Sequence, residues 1–187
     1  MRRAILLDRD GVIVQLVSRG GRRMGAIRAA EAELVPGIHR AMMFASSEGY
    51  ELAIVTNQPC IARRECTLDE YNELVEYIGQ LLSGLDVRVF ACFHIDDDRC
   101  ECRKPRPGLL LRAIEALRVE PHDCWMIGDR HSDMQAAAAA GCKGVYVIDG
   151  QDGLPAPSGV LVACRSPEAI YMAVDADWRS CDEALAR

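Results

Sequence analysis

Two aspartates, Asp8 and Asp10, stand two apart where a short apolar run ends, with Gly11 behind them. In an extended chain, positions i and i+2 face the same way, while the Arg9 between them faces the other. Two carboxylates on one side suit a division of labour in which one attacks and the other handles protons. They equally suit a hard divalent cation held through oxygen. On a phosphate monoester, a carboxylate 4 Å from the dianion is repelled by about 8 kcal/mol at an effective dielectric of 20. Such an attack needs positive charge. Asp129, at the end of another apolar run, can complete a magnesium site with Asp8; Lys104 can neutralise phosphoryl oxygens, and Thr56 can donate a hydrogen bond to one of them. Alone, Asp-x-Asp-Gly is an ordinary turn after a strand.

A second constellation is Cys92-x-His94-x5-Cys100-x-Cys102. Three thiols and one imidazole within one short loop match a tetrahedral structural zinc site, with no position left open for chemistry. Such an ion holds a loop that lacks a core of its own and aims the Arg103-Lys104-Pro105 segment behind it. Asp96-Asp97-Asp98 inside the loop reads as a solvated turn. Of the other cysteines, Cys124 and Cys142 border strands and read as small buried residues, and Cys60 lies beside Thr56.

The elements that must carry these groups alternate in type. Strands are expected at Arg3 to Leu7, Glu51 to Val55, Val87 to Phe93, Cys124 to Ile127 and Val145 to Ile148. Helices are expected from Pro36-Gly37 to about Glu48, after Thr67, from Pro107, and from a Ser132 cap to Gly141. Thr67-Leu68-Asp69-Glu70 is a capping box, and Leu68, Tyr71, Leu74, Val75, Ile78, Leu81 and Leu82 follow it on one face. This alternation predicts an α/β, Rossmann-like, doubly wound and mainly parallel sheet with helices on both faces. In such a sheet, functional groups collect past the carboxyl ends of the strands, where all four polar clusters fall. Residues 11–34 read as a long loop or small hairpin, and Gly150 to Gly159 as a loop before a last helix near Ser166-Pro167.

At 187 residues the chain is one domain, 1–187, with a zinc loop at 92–102 and a C-terminal tail at 150–187. The intervals between Asp8, Thr56 and Lys104 are filled by core elements, so no cap domain is expected and the site is open. Half of the residues are hydrophobic and 27% charged, which excludes wholesale disorder. A net charge of −6 argues against a broad nucleic-acid face. No apolar run spans a bilayer, and the N-terminus lacks an export core, so a cytoplasmic protein is expected; with no long apolar stripe left over, it is expected to be a monomer.

Together these motifs resemble the haloacid dehalogenase superfamily. Asp8-Arg9-Asp10-Gly11-Val12 looks like its nucleophile loop, Thr56 its second motif, Lys104 its third, and Gly128-Asp129-Arg130-x-x-Asp133 its acidic fourth. Val55-Thr56-Asn57-Gln58 and the Cys-His cluster resemble the zinc-containing branch of heptose bisphosphate and histidinol phosphate phosphatases. The resemblance implies Asp8 as nucleophile, forming an aspartyl phosphate, and Asp10 as acid and then base. It implies magnesium on the Asp8 and Asp129 carboxylates and the Asp10 backbone carbonyl, with Asp133 behind them. Thr56 and Lys104 would stabilise the phosphoryl group, and Arg9, Asn57, Gln58, Arg103 and Arg130 are counted as substrate-binding. Ile61-Ala62-Arg63 and Arg106-Pro107-Gly108 lean toward the heptose enzyme. Arg19, Arg22, Arg23 and Arg28 suit a second phosphate or a solvated loop. Gln15 to Gly21 departs from the usual Gly-Tyr substrate loop of the heptose branch. The implied partner is a small phosphorylated metabolite, a sugar bisphosphate before histidinol phosphate. A DNA 3′-phosphatase and a catalytically silent zinc-stapled binding domain remain alternatives.

Overall fold

The computed structural model describes residues 2–148 and 156–185, with the side chains of 178–185 left aside. Six parallel strands form one sheet in the order β5-β4-β1-β6-β7-β8. They are β1 (Arg3–Leu7), β4 (Tyr50–Asn57), β5 (Val87–Cys92), β6 (Cys124–Gly128), β7 (Lys143–Val147) and β8 (Leu161–Ala163). The helices are α1 (Ile38–Ser47), α2 (Leu68–Leu81), α3 (Gly108–Leu117), α4 (His131–Ala140) and α5 (Ser166–Leu185). The four inner strands are buried on both faces, which explains why they read as continuous apolar runs. Ile5, Leu7, Leu52, Ile54, Trp125 and Ile127 point into a core shared with α1, α2 and α5. Ala4, Leu6, Ala53, Val55 and Met126 point into a second core under α3 and α4. The expected doubly wound architecture is therefore present.

The chain winds outward from β1 through β4 to β5, then returns to β6 on the other side of β1. The strand order thus reverses at β1, which opens a crevice beyond the carboxyl ends of β1 and β6. Leu7 is in register with Ile54 and Ile127, and the Asp8 N–H donates to the Ile127 carbonyl at 2.9 Å. This register lifts Asp8 just above the sheet and sets Thr56 and Asp129 beside it.

Several boundaries differ from those expected. β8 has only three residues and carries no run long enough to read. Residues 11–34 fold back as a hairpin of β2 (Val17–Arg19) and β3 (Arg22–Met24) turning through Gly20-Gly21. α4 begins at His131, not after a Ser132 cap, because the Asp133 carboxylate accepts from the Arg130 N–H at 3.1 Å. In the expected Gly150 to Gly159 loop, residues 150–155 lie outside the described residues. Among the described residues no cap domain interrupts the sheet. Buried Ser166, at the start of α5, donates to the Val12 carbonyl at 2.6 Å and so fastens the last helix to the loop after β1.

The capping box at Thr67 is formed: Thr67 Oγ1 accepts from the Glu70 N–H, and Glu70 accepts from the Thr67 N–H at 2.8 Å. Thr67→Ala should lower stability by about 1 kcal/mol, read as a smaller unfolding free energy in urea with an unchanged slope.

Candidate active site

Asp8 sits at the floor of the crevice, 6% exposed. Its Oδ1 accepts from the Arg9 N–H at 2.8 Å and lies 3.1 Å from Lys104 Nζ. Both bonds fall on one oxygen, which leaves Oδ2 for chemistry. Lys104 reaches this point from the loop after β5. Its ammonium also meets Asp133 Oδ1 at 2.6 Å and donates to the Val55 carbonyl at 2.8 Å. Burial opposes its charge, but Asp133 and Asp8 outweigh that and raise its pKa above the ordinary lysine value. Asp133 is fully buried and pairs with Lys104, so it supports the site from behind.

Asp129 completes the floor. One carboxylate oxygen from each of Asp8, Asp129 and Asp133 lies within 4.8 Å of the other two. Burial, then the charges of Asp8 and Asp133, push Asp129 up to about 8. Its Oδ1 is buried without a partner among the described residues. Three carboxylates against one ammonium leave an excess of negative charge in a dry place, which a hard divalent cation would neutralise. Gly11, with φ +84°, is required here, because a Cβ would collide with the Asp129 carboxylate.

Above the floor, the cavity holds about 480 Å³. Thr56, Asn57, Gln58, Arg103 and Arg130 line it. Asn57, however, uses its amide on the Lys104 backbone: Nδ2 donates to the Lys104 carbonyl at 3.0 Å, and Oδ1 accepts the Lys104 N–H at 3.1 Å. Arg103 Nε donates to Asp96 at 2.7 Å, and its Nη1 is buried without a described partner. Of the loop arginines, Arg19 and Arg23 line the cavity. Arg28 pairs instead with Glu70, and Arg22 is exposed.

Arg9 requires a correction. It does not line this cavity and is 1% exposed, with Nε on Asp10 Oδ1 at 2.9 Å and Nη2 on Asp10 Oδ2 at 3.0 Å. Alternation turns its Cα–Cβ bond away from the site, and its long side chain bends back to the neighbouring carboxylate.

Cys92, His94, Cys100 and Cys102 converge. Their sulfurs lie 3.3–3.7 Å apart, and His94 Nδ1 is 3.3 and 3.5 Å from two of them. Sulfurs bound to one tetrahedral zinc at 2.3 Å would be about 3.8 Å apart, so these donors fit that ion. The expected solvated turn at Asp96–Asp98 is a short 3-10 turn, but Asp96 lines the cavity and orients Arg103. Sequence reasoning missed that role, since nothing in a run of three aspartates distinguishes the first. Arg63 and Glu65, after β4, also line the cavity. Arg63 belongs to the Ile61-Ala62-Arg63 motif, whereas Glu65 carried no signal. His131 does not line it and stacks edge-on with Tyr146.

The model of the haloacid dehalogenase-like hydrolase family matches residues 15–141. The chain is 32% identical over 157 residues to the D-glycero-beta-D-manno-heptose-1,7-bisphosphate 7-phosphatase of Pasteurella multocida (strain Pm70), covering 79% of this chain and 82% of that one. It is 37% identical over 148 residues to the protein of the same name from Salmonella typhi, covering 73% and 75%. A D,D-heptose 1,7-bisphosphate phosphatase from B. bronchiseptica, solved with magnesium and phosphate, superposes with a TM-score of 0.80 at 28% identity, over 92% of this chain and 98% of that one. These likenesses agree with the phosphatase reading of the motifs. With a family model matched over residues 15–141 and relatives above 30% identity over most of its length, the chain belongs to the haloacid dehalogenase-like hydrolases.

Proposed function

We propose that this chain is a magnesium-dependent phosphomonoesterase that removes one phosphate from a sugar bisphosphate of the heptose 1,7-bisphosphate type. The observation that carries the reading is the separation of charge in the site. Three carboxylates are gathered on the floor, and five arginines, Arg19, Arg23, Arg63, Arg103 and Arg130, outnumber the two carboxylates, Glu65 and Asp96, that line the cavity above them. One phosphate of the substrate would meet the floor and the other the arginines, whose planar forks suit phosphate oxygens.

Asp8 and Asp129 carboxylates and the Asp10 backbone carbonyl would hold magnesium. When bound, it supplies the positive charge that lets an anionic phosphoryl group lie against the Asp8 carboxylate. Lys104 offsets further phosphoryl charge. Gln58 Nε2 donates to Thr56 Oγ1 at 2.8 Å, so the Thr56 hydroxyl proton is free to donate to a phosphoryl oxygen. Asp8 Oδ2 attacks phosphorus as the ester P–O bond breaks, and Asp10 gives its proton to the departing alcohol oxygen. Asp10, now a carboxylate, takes a proton from the water that attacks the aspartyl phosphate. Phosphate leaves, and both aspartates return to their starting states. Glu65 is the feature that favours the cationic histidinol phosphate as a second reading.

Phosphate release with magnesium tests the activity. The heptose bisphosphate should yield one phosphate and outpace histidinol phosphate, while Asp8→Asn should lose on the order of 10³-fold or more. The opposite substrate preference would transfer the chain to the second reading. Asp129→Asn should raise the melting temperature of the metal-free protein by a few degrees, by removing a repelled carboxylate, and should abolish the rise that magnesium gives the parent.

We also propose that the Cys-His cluster holds one structural zinc that stiffens the route to Lys104. Arg106 Nη1 donates to the Cys100 carbonyl at 2.6 Å, and the Gly108 N–H to the Glu101 carbonyl at 3.0 Å, which join the loop to α3. Elemental analysis should find about one zinc per chain, and Cys102→Ser should lose most of it together with several degrees of melting temperature.

A further inference from the structure

We propose that Arg9 and Gln58 form a positioning clamp that fixes the orientation of the Asp10 carboxyl group. This inference rests on Asp10 being the general acid of the proposed phosphatase.

The clamp is an ordered chain of donors. Arg9 Nε donates to Asp10 Oδ1 at 2.9 Å, and Arg9 Nη2 to Asp10 Oδ2 at 3.0 Å. Gln58 Nε2 donates to the same Oδ2 at 2.7 Å. Arg9 Nη2 carries two hydrogens and faces three acceptors, Asp10 Oδ2, Gln58 Oε1 and the Ala26 carbonyl, so its contact with Oδ2, the longest of the three, is shared. Arg9 Nε and Gln58 Nε2 therefore hold one oxygen of Asp10 each, and the plane of the carboxyl group is fixed between them.

Gln58 cannot be read the other way round. Its Oε1 accepts from Arg9 Nη2 at 2.9 Å, a group that can only donate. That fixes the amide so that Nε2 faces Asp10 and Thr56. One guanidinium thus sets the orientation of the acid directly and that of the phosphoryl-binding hydroxyl through the amide.

The hairpin is secured at the same place. Arg9 Nη2 also donates to the Ala26 carbonyl at 2.6 Å, just past β3. A Cβ on Gly25 would collide with the Asp10 carboxylate, so the returning chain lies directly against it. Glu31 holds the next turn by accepting from the Ile27 N–H at 2.9 Å while pairing with Arg19. The arginine-bearing hairpin and the acid are therefore located by one buried group.

The test compares leaving groups. An alkyl alkoxide needs a proton to depart, whereas p-nitrophenolate does not. Arg9→Met should lower kcat on the heptose bisphosphate by about 100-fold or more, the range set by general acid catalysis, and raise KM through the loosened hairpin. The first-turnover burst of p-nitrophenol from p-nitrophenyl phosphate should fall by a factor at least about tenfold smaller than that, since this step loses the orientation of Thr56 but needs no acid. Arg9→Lys keeps the charge without the fork and should stay within about tenfold of Arg9→Met. Gln58→Leu should show the same alkyl-over-aryl bias, and it carries the test should Arg9→Met fail to fold.

Equal losses on both substrates, a loss lying wholly in KM, or full rescue by lysine would each overturn the clamp. Asp10→Asn is the reference. Bias in Asp10→Asn without bias in the Arg9 and Gln58 variants removes the clamp alone. Absence of bias in Asp10→Asn removes Asp10 as the acid, and the clamp with it.

Discussion

Lys104 is a buried ammonium set between two buried carboxylates, and the crevice is organised around it. Removing Lys104 would leave Asp8 and Asp133 as uncompensated charges in a dry interior, a loss typically worth several kcal/mol. The lysine joins three separate stretches of chain: the end of β1 at Asp8, the end of β4 at Val55, and the first turn of α4 at Asp133. Its own backbone is held by Asn57. The charges of the candidate site and the tertiary structure are thus the same contacts, so the site cannot be loosened without loosening the sheet's upper rim.

The rest of the rim lacks such a core. Between β5 and α3 the chain has only a three-residue turn and a loop, and the Cys-His cluster stands where packed side chains would otherwise be. An ion there would do locally what a hydrophobic core does for the sheet. The hairpin across the cavity is handled differently, through Arg9 and Glu31, because its strands are too short to be stable alone. Two loops around one pocket are thus secured by two unrelated devices.

Much of this was legible in the sequence. Parallel strands buried on both faces read as apolar runs, and each run ended at a polar cluster, so the positions of Asp8, Thr56 and Asp129 followed from the pattern. The ligand spacing of Cys92 to Cys102 was equally plain. What could not be read depends on where a long side chain goes after its Cβ. Alternation gave the direction of Arg9 correctly, yet its guanidinium reaches back to Asp10. The same holds for Asp96, which turns to Arg103, and for Asn57, whose amide serves a backbone. β8 escaped because three residues give no period, and the start of α4 shifted because its cap comes from Asp133 within the first turn.

The bond between Ser166 and the Val12 carbonyl ties the two ends of the polypeptide together across the sheet. All four motifs lie before residue 134, so every group proposed to be catalytic is synthesised before Ser166. The backbone behind the nucleophile nonetheless waits for its buried partner until that residue appears. Vectorial synthesis therefore delivers the chemistry early and completes its support late, and a nascent chain carrying every motif is still an unfinished enzyme.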